Sequence, residues 1–134
     1  MGAQIGVEYA LGGCEVSFLV RVRERAEPRV EQALGLAQVH GLAGEAALAR
    51  ARAAIDWEEG EPELIVESLP EDLSLKAGVL GPLAARHPDA IVATNTSSIS
   101  IGALGEATGV PERIVGTHYW NPPLLMPLVE VVAG

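Results

Sequence analysis

The sequence is short of cysteine, lysine and aromatic side chains. Its 134 residues include one cysteine, Cys14, and one lysine, Lys76, and 4% of them are aromatic. A single cysteine excludes an internal disulfide and a cysteine zinc site, so we expect no metal and a reducing, cytoplasmic environment. No apolar run approaches the ~20 residues of a membrane-spanning helix, and the first residues lack the basic start of a secretory signal. We therefore expect no membrane partner.

Positive charge is also scarce. The formal net charge is -9, and a chain of this charge repels the phosphates of nucleic acids. We expect no nucleic-acid partner, although a local group of side chains could still hold an anionic cofactor. With 49% hydrophobic and 20% charged residues, the composition is typical of one globular domain.

Helical and extended patterns alternate along the chain. Apolar spacing predicts helices at residues 3–11, 22–37, 44–53, 73–84 and 101–107. Short apolar or β-rich runs predict strands at residues 16–20, 54–57, 64–66, 90–93, 114–117 and 128–132. Residues 68–71 fit a capping box at the start of the fourth helix. This alternation predicts an α/β fold with a mainly parallel, doubly wound sheet, in which ligands bind beyond the carboxyl ends of strands.

A histidine and a glutamate stand out near the end of the chain. His118 directly follows the strand at residues 114–117, and Glu130 lies in an extended run that returns after a turn at residues 121–123. If the two segments pair, the carboxylate can bind one imidazole nitrogen and leave the other free, as in general acid–base catalysis. The alternative is a structural histidine and a glutamate that faces solvent.

Polar residues also follow two buried strands. Residues 94–98 are five consecutive hydrogen-bonding side chains, which either form a turn and helix cap or contact a ligand. Glu71 and Lys76 lie in the first turns of the helix after Val66. Taken alone, they could do no more than cap the helix or face solvent.

Three segments carry a family resemblance. The stretches LIVESLPEDL at residues 64–73, ATNTSSISI at 93–101, and GTHYWNPP followed by MPLVEVV at 116–123 and 126–132 occur in the same order. They resemble the NAD-binding domain of 3-hydroxyacyl-CoA dehydrogenases, strongly over more than half of the chain and loosely before it. The resemblance implies a Rossmann-type fold and an oxidoreductase of fatty acid β-oxidation. Such an enzyme oxidises the 3-hydroxyl of an acyl-CoA and transfers hydride to NAD.

The resemblance also implies residue roles. His118 matches the catalytic base and Glu130 its carboxylate partner. Ser97 and Asn121 match polar residues near the reacting oxygen and the nicotinamide, and are assigned to both catalysis and cofactor binding. The remaining expected cofactor contacts are Gly2, Arg21, Glu71 and Lys76.

The chain departs from the family pattern at its start. Met1 and Gly2 fall on the last two residues of the family's glycine turn, so the first strand is expected to be missing. That strand is central in the order 3-2-1-4-5-6. Val20 stands where the family has an aspartate for the adenosine ribose, and Arg21 beside it could bind a 2′-phosphate, so NADP is not excluded. We therefore expect an incomplete dinucleotide-binding domain over residues 1–134, which binds dinucleotide poorly and is inactive by itself.

A further departure is at the end of the chain. The sequence stops at Gly134, so we expect the chain to lack the helical C-terminal domain that in the family completes the acyl-CoA site and the homodimer. Two alternatives to the acyl-CoA enzyme remain open. One is a dehydrogenase of a free hydroxy acid or sugar acid, of the carnitine or gulonate type, because such relatives share the turn at residues 121–123. The other is a non-catalytic remnant that binds nucleotide weakly or binds only a partner protein.

Overall fold

The computed structural model describes all residues, Met1–Gly134. The chain forms two compact units. The first unit is Met1–Gly60 with Asn121–Pro127, and the second is Glu61–Trp120 with Leu128–Gly134. No helix has both the length and the apolar character that crossing a membrane requires.

The first unit packs three helices with a two-stranded parallel sheet. Its elements are α1 (Gly2–Leu11), β1 (Val16–Ser17), α2 (Arg23–Val39), α3 (Glu45–Ala53) and β2 (Ile55–Asp56). Helix α2 buries Val30, Ala33, Leu34 and Ala37, a spacing that places all four on one face of the helix. They form a core with Val7 of α1 and with residues of α3. Each large apolar side chain buried in this way contributes roughly 1.5–3 kcal/mol to stability.

The second unit is a four-stranded sheet covered by two helices. Its elements are β3 (Leu64–Glu67), α4 (Leu73–Arg86), β4 (Ile91–Thr94), α5 (Ile101–Thr108), a short 3₁₀ helix (Pro111–Arg113), β5 (Ile114–Tyr119) and β6 (Val129–Ala133). The strand order is β3-β4-β5-β6, with the first three parallel and β6 antiparallel to β5. The core consists of apolar residues of these strands and helices, including Leu80, Val92 and Leu104.

The predicted α/β fold with mainly parallel strands is confirmed. The chain has two sheets, β1-β2 and β3-β4-β5-β6. Two local predictions are wrong. Strand β1 ends at Ser17 rather than at residue 20. The cap of α4 is Asp72, whose carboxylate accepts a 2.8 Å hydrogen bond from the Leu75 N–H, and the carboxylate of Glu71 binds a different loop.

Candidate active site

Three strands of the second unit end at the same edge of the sheet. Glu67 is the last residue of β3 and pairs in register with Thr94, the last residue of β4. His118 lies near the end of β5. The side chain of Asn95 fixes these ends relative to each other, because its Oδ1 accepts a 2.8 Å hydrogen bond from the Tyr119 N–H. The polar residues that the sequence placed after separate strands therefore share one edge.

His118 and Glu130 form the predicted contact. They face each other directly across the antiparallel β5–β6 ladder, and His118 Nδ1 lies 2.7 Å from Glu130 Oε2. The side chains are 33% and 52% exposed, respectively, so a ligand can reach the ring. With the Nδ1–H donating to Glu130, the other ring nitrogen is an acceptor.

Ser97 contacts that second ring nitrogen. Its Oγ lies 3.0 Å from His118 Nε2, so with Nδ1 protonated the serine hydroxyl donates to the imidazole. The three side chains form a continuous line, Ser97–His118–Glu130, at the edge of the sheet. This line contains three of the four residues predicted to be catalytic.

Glu71 binds the loop that carries Ser97. Its Oε1 accepts hydrogen bonds from the Thr96 hydroxyl, from the N–H groups of Ser97 and Ser98 at 2.9 Å, and from the Ser98 hydroxyl at 3.1 Å. Burial raises the pKa of this carboxyl, but the hydrogen bonds from Thr96, Ser98 and Ser97 outweigh burial and lower the pKa to about 2. Glu71 is therefore ionised at neutral pH and holds the loop as an anion.

Lys76 lies beneath this loop in a buried ion pair. Its Nζ is 2.8 Å from both carboxylate oxygens of Glu67, 3.1 Å from the Leu69 carbonyl oxygen and 3.3 Å from Glu71 Oε2. The side chains of Lys76 and Glu67 are 1% and 2% exposed. As placed, Lys76 presents no donor to a ligand, so its expected direct contact with a cofactor stays a prediction.

Sequence reasoning missed Glu67. The sequence contained a signal for it. Lys76 has the helical spacing of the apolar residues Leu80, Leu83 and Ala84, which places the only lysine on the apolar face of α4, and all four residues are buried. A buried ammonium group requires an anionic partner. Glu67, at the end of an apolar strand, was the candidate.

Three predicted site residues belong to the first unit. Gly2 is the first residue of α1. Arg21 is exposed between β1 and α2, and Asn121 is exposed before a cis peptide bond to Pro122. The residues that the structure brings together are thus Glu71, Lys76, Ser97, His118 and Glu130. No group of three or more His, Cys, Asp or Glu side chains could hold a metal ion.

Parallel strands with helical crossovers, and polar residues gathered at their carboxyl ends, define a Rossmann-like α/β domain. The family model of the 3-hydroxyacyl-CoA dehydrogenase NAD-binding domain matches residues 1–134. The chain belongs to this family.

Individual relatives agree with this assignment. The chain is 30% identical over 135 residues to 3-hydroxybutyryl-CoA dehydrogenase of Mycobacterium tuberculosis, covering 98% of this chain and 47% of the relative. It is 42% identical over 89 residues to the fatty acid oxidation complex subunit alpha of Acinetobacter baylyi, covering 65% of this chain and 12% of that protein. The chain thus spans less than half the length of these curated relatives.

Solved structures show the same fold. The crystal structure of M. tuberculosis FadB2 matches with a TM-score of 0.89 at 29% identity, over 100% of this chain and 52% of that one. The 3-hydroxybutyryl-CoA dehydrogenase of Escherichia coli matches with a TM-score of 0.87 at 30% identity, over 98% of this chain and 30% of that one.

Proposed function

We propose that this chain is the NAD-binding part of an enzyme that oxidises the 3-hydroxyl of an acyl-CoA thioester. One observation carries the proposal: the line of Ser97, His118 and Glu130 at the edge of the sheet, with 3.0 Å and 2.7 Å between successive side chains. The Ser97 hydroxyl already lies 3.0 Å from His118 Nε2. A substrate hydroxyl at this nitrogen would occupy the position that proton abstraction requires.

The three side chains have distinct roles in the proposed reaction. His118 Nε2 takes the proton of the 3-hydroxyl. Glu130 holds the Nδ1–H, which fixes the tautomer and stabilises the imidazolium that forms. Ser97 keeps a hydroxyl beside the reacting oxygen. Asn121, directly before Pro122, is proposed as a further contact to the substrate or cofactor.

The exposed groups at this edge fit the nicotinamide half of a dinucleotide. Glu71 is an ionised acceptor whose side chain is 37% exposed, which suits ribose hydroxyls, and Ser97 and Ser98 are exposed hydroxyl groups. NAD, when bound, supplies the acceptor for the hydride that leaves C3. Gly2 at the start of α1 is proposed to face the pyrophosphate, because helix N-termini favour anions.

The test uses a fusion that restores the length of the relatives. We would add the first strand and glycine turn of the M. tuberculosis 3-hydroxybutyryl-CoA dehydrogenase before Met1 and its C-terminal domain after Gly134, and follow NADH formation. We expect oxidation of 3-hydroxybutyryl-CoA and no oxidation of free 3-hydroxybutyrate, carnitine or gulonate. Oxidation of a free acid in preference to the thioester would overturn the proposed substrate class.

Variants of the same fusion test the residue roles. His118→Ala should lower kcat by roughly 10²–10⁴, the usual contribution of general acid–base catalysis, and Glu130→Gln should also lower it. His40→Ala is the matched control, since His40 is an exposed residue at the end of α2, and it should leave kcat unchanged. Full turnover in His118→Ala would exclude this histidine as the base.

A further inference from the structure

A buried carboxylate lies directly beneath the candidate active site and has no role in the chemistry proposed above. Glu67, counted as a whole residue, is 4% exposed, which is too buried for contact with substrate or cofactor. Its oxygens accept hydrogen bonds from the Leu69 N–H, from Lys76 Nζ at 2.8 Å and from the Thr94 hydroxyl at 2.6 Å. The carboxylate thus joins the end of β3 to the end of β4 and to α4.

Lys76 links the buried carboxylate of Glu67 to the partly exposed carboxylate of Glu71. Its ammonium group lies between two carboxylates, those of Glu67 at 2.8 Å and Glu71 at 3.3 Å. Glu71 in turn accepts the N–H groups of Ser97 and Ser98. A continuous set of charged contacts therefore leads from the buried strand ends to the loop whose serine touches His118.

We propose that Glu67 is a positioning residue, which sets Glu71 through Lys76 and thereby fixes the loop that presents Ser97 to His118. The inference rests on the proposed function, since it assigns Glu67 to the same site. Lys76 acts in this arrangement by orienting Glu71.

Stability alone does not account for the pair. Buried ion pairs are costly to desolvate and often add little stability compared with apolar side chains of similar volume. An apolar pair here, however, would remove the 3.3 Å contact of Lys76 with Glu71 Oε2, and only the hydrogen bonds from the loop to Oε1 would then orient this carboxylate. The geometry of the loop is what Glu67 and Lys76 contribute beyond packing.

The experiment measures the loop directly in the 134-residue chain by NMR, without NAD or acyl-CoA. In Glu67→Gln, which keeps the shape and removes the charge, we expect the Ser97 and Ser98 amides to exchange with solvent about tenfold faster. That factor corresponds to about 1.4 kcal/mol of lost hydrogen bonding. The ring resonances of His118 should shift in the same variant, whereas exchange at the buried Val92 amide should change much less.

The control is Thr108→Val. This substitution removes a buried hydroxyl that bonds to the Leu104 and Gly105 carbonyls within α5. It lowers stability in the same unit without touching the Glu67 contacts, so the loop amides and the His118 ring should stay as in the wild type. Equal effects of the control and of Glu67→Gln on these signals would overturn the inference.

A second variant covers the case in which Glu67→Gln does not fold. Glu67→Gln combined with Lys76→Met leaves no unpaired buried charge, and we expect a folded chain with the same faster exchange at Ser97 and Ser98. Wild-type exchange and an unshifted His118 ring in either folded variant would overturn the inference. Failure of the fusion to oxidise the thioester would instead refute the proposed function and leave the loop measurements as they stand.

Discussion

At the scale of single residues, Glu71 makes the largest set of contacts at the site. Its carboxylate accepts four hydrogen bonds from the loop of Thr96, Ser97 and Ser98. Its pKa is about 2 in the folded chain against an ordinary value of 4.5. Since the folded value is the lower one, the ionised carboxylate stabilises the fold above pH 4.5, and this contribution is lost as the pH falls toward 2.

The prediction for Glu71 concerns stability against pH. Glu71→Gln should lower the free energy of unfolding by about 1 kcal/mol at pH 7, a value reduced for the partial exposure of the side chain. The difference from the wild type should narrow at pH 3. Urea denaturation at the two pH values measures it. Glu106→Gln, at an exposed position of α5, is the control, and a difference that stays constant with pH would contradict the prediction.

Residue contacts could be predicted from the sequence where a short turn makes two strands pair as neighbours. The contact of His118 with Glu130 follows from such pairing, and it is confirmed; the catalytic roles remain predictions. Glu67 was assigned no role because its contacts with Lys76 and Thr94 join β3 to another helix and another strand, and no turn sets that packing. Which carboxylate pairs with the buried Lys76 depends on how β3, β4 and α4 pack.

At the scale of elements, helix α5 packs closely on the segment that follows it. A Cβ added at Gly105 would lie 2.9 Å from both Pro111 Cα and Ile114 Cγ2. Gly78 lies on an exposed face of α4, where an added Cβ meets nothing within 4 Å. An added methyl group should therefore change the stability of the chain differently at these two helical glycines.

We predict opposite effects of the same substitution at these glycines. Gly105→Ala should destabilise the chain by about 1–3 kcal/mol, because backbone atoms must move. Gly78→Ala should stabilise it by about 0.5–1 kcal/mol, because alanine loses less entropy in a helix. Thermal unfolding of the two variants measures the signs. A stabilising effect of Gly105→Ala would contradict the close packing at that residue, and a destabilising effect of Gly78→Ala would contradict the prediction for α4.

Element types were predicted well and their ends less well. All five helices and six strands occur where apolar spacing indicated them. The start of α4 at Leu73 was predicted correctly. Its cap was wrong because Ser68 and Asp72 are both good caps in sequence, and the choice depends on Glu71 binding a loop 25 residues away. Strand β1 is short because β2, its only partner, has two residues.

At the scale of the whole molecule, the chain has two separate sheets. The segment that follows β1 of the first unit bears on dinucleotide binding. Near β1, Val20 is 41% exposed and offers no acceptor to a ribose. Arg23 donates to Glu27 and lies over the Trp57 ring at 5.1 Å, which leaves Arg21 as the candidate for a 2′-phosphate.

We therefore predict weak binding with little preference for NAD over NADP. Calorimetric titration of the chain should give dissociation constants weaker than about 1 µM for both dinucleotides. Arg21→Ala should weaken NADP binding more than NAD binding, whereas Arg25→Ala, at an exposed position of α2, should affect neither selectively. Tight NAD binding would contradict the first part, and an equal effect of Arg21→Ala on NAD and NADP binding would contradict the second.

The position of β3 has a consequence for the behaviour of the chain in concentrated solution. As the edge strand of its sheet, β3 leaves one row of backbone N–H and C=O groups unpaired, which is a template for strands of other molecules. The segment just before it carries four carboxylates, Glu58, Glu59, Glu61 and Glu63. Repulsion between these carboxylates on different molecules opposes aggregation through β3. Acidification toward the isoelectric point weakens this repulsion. Resistance to aggregation should therefore depend on the charge of a loop, whereas the fold of the sheet itself should not.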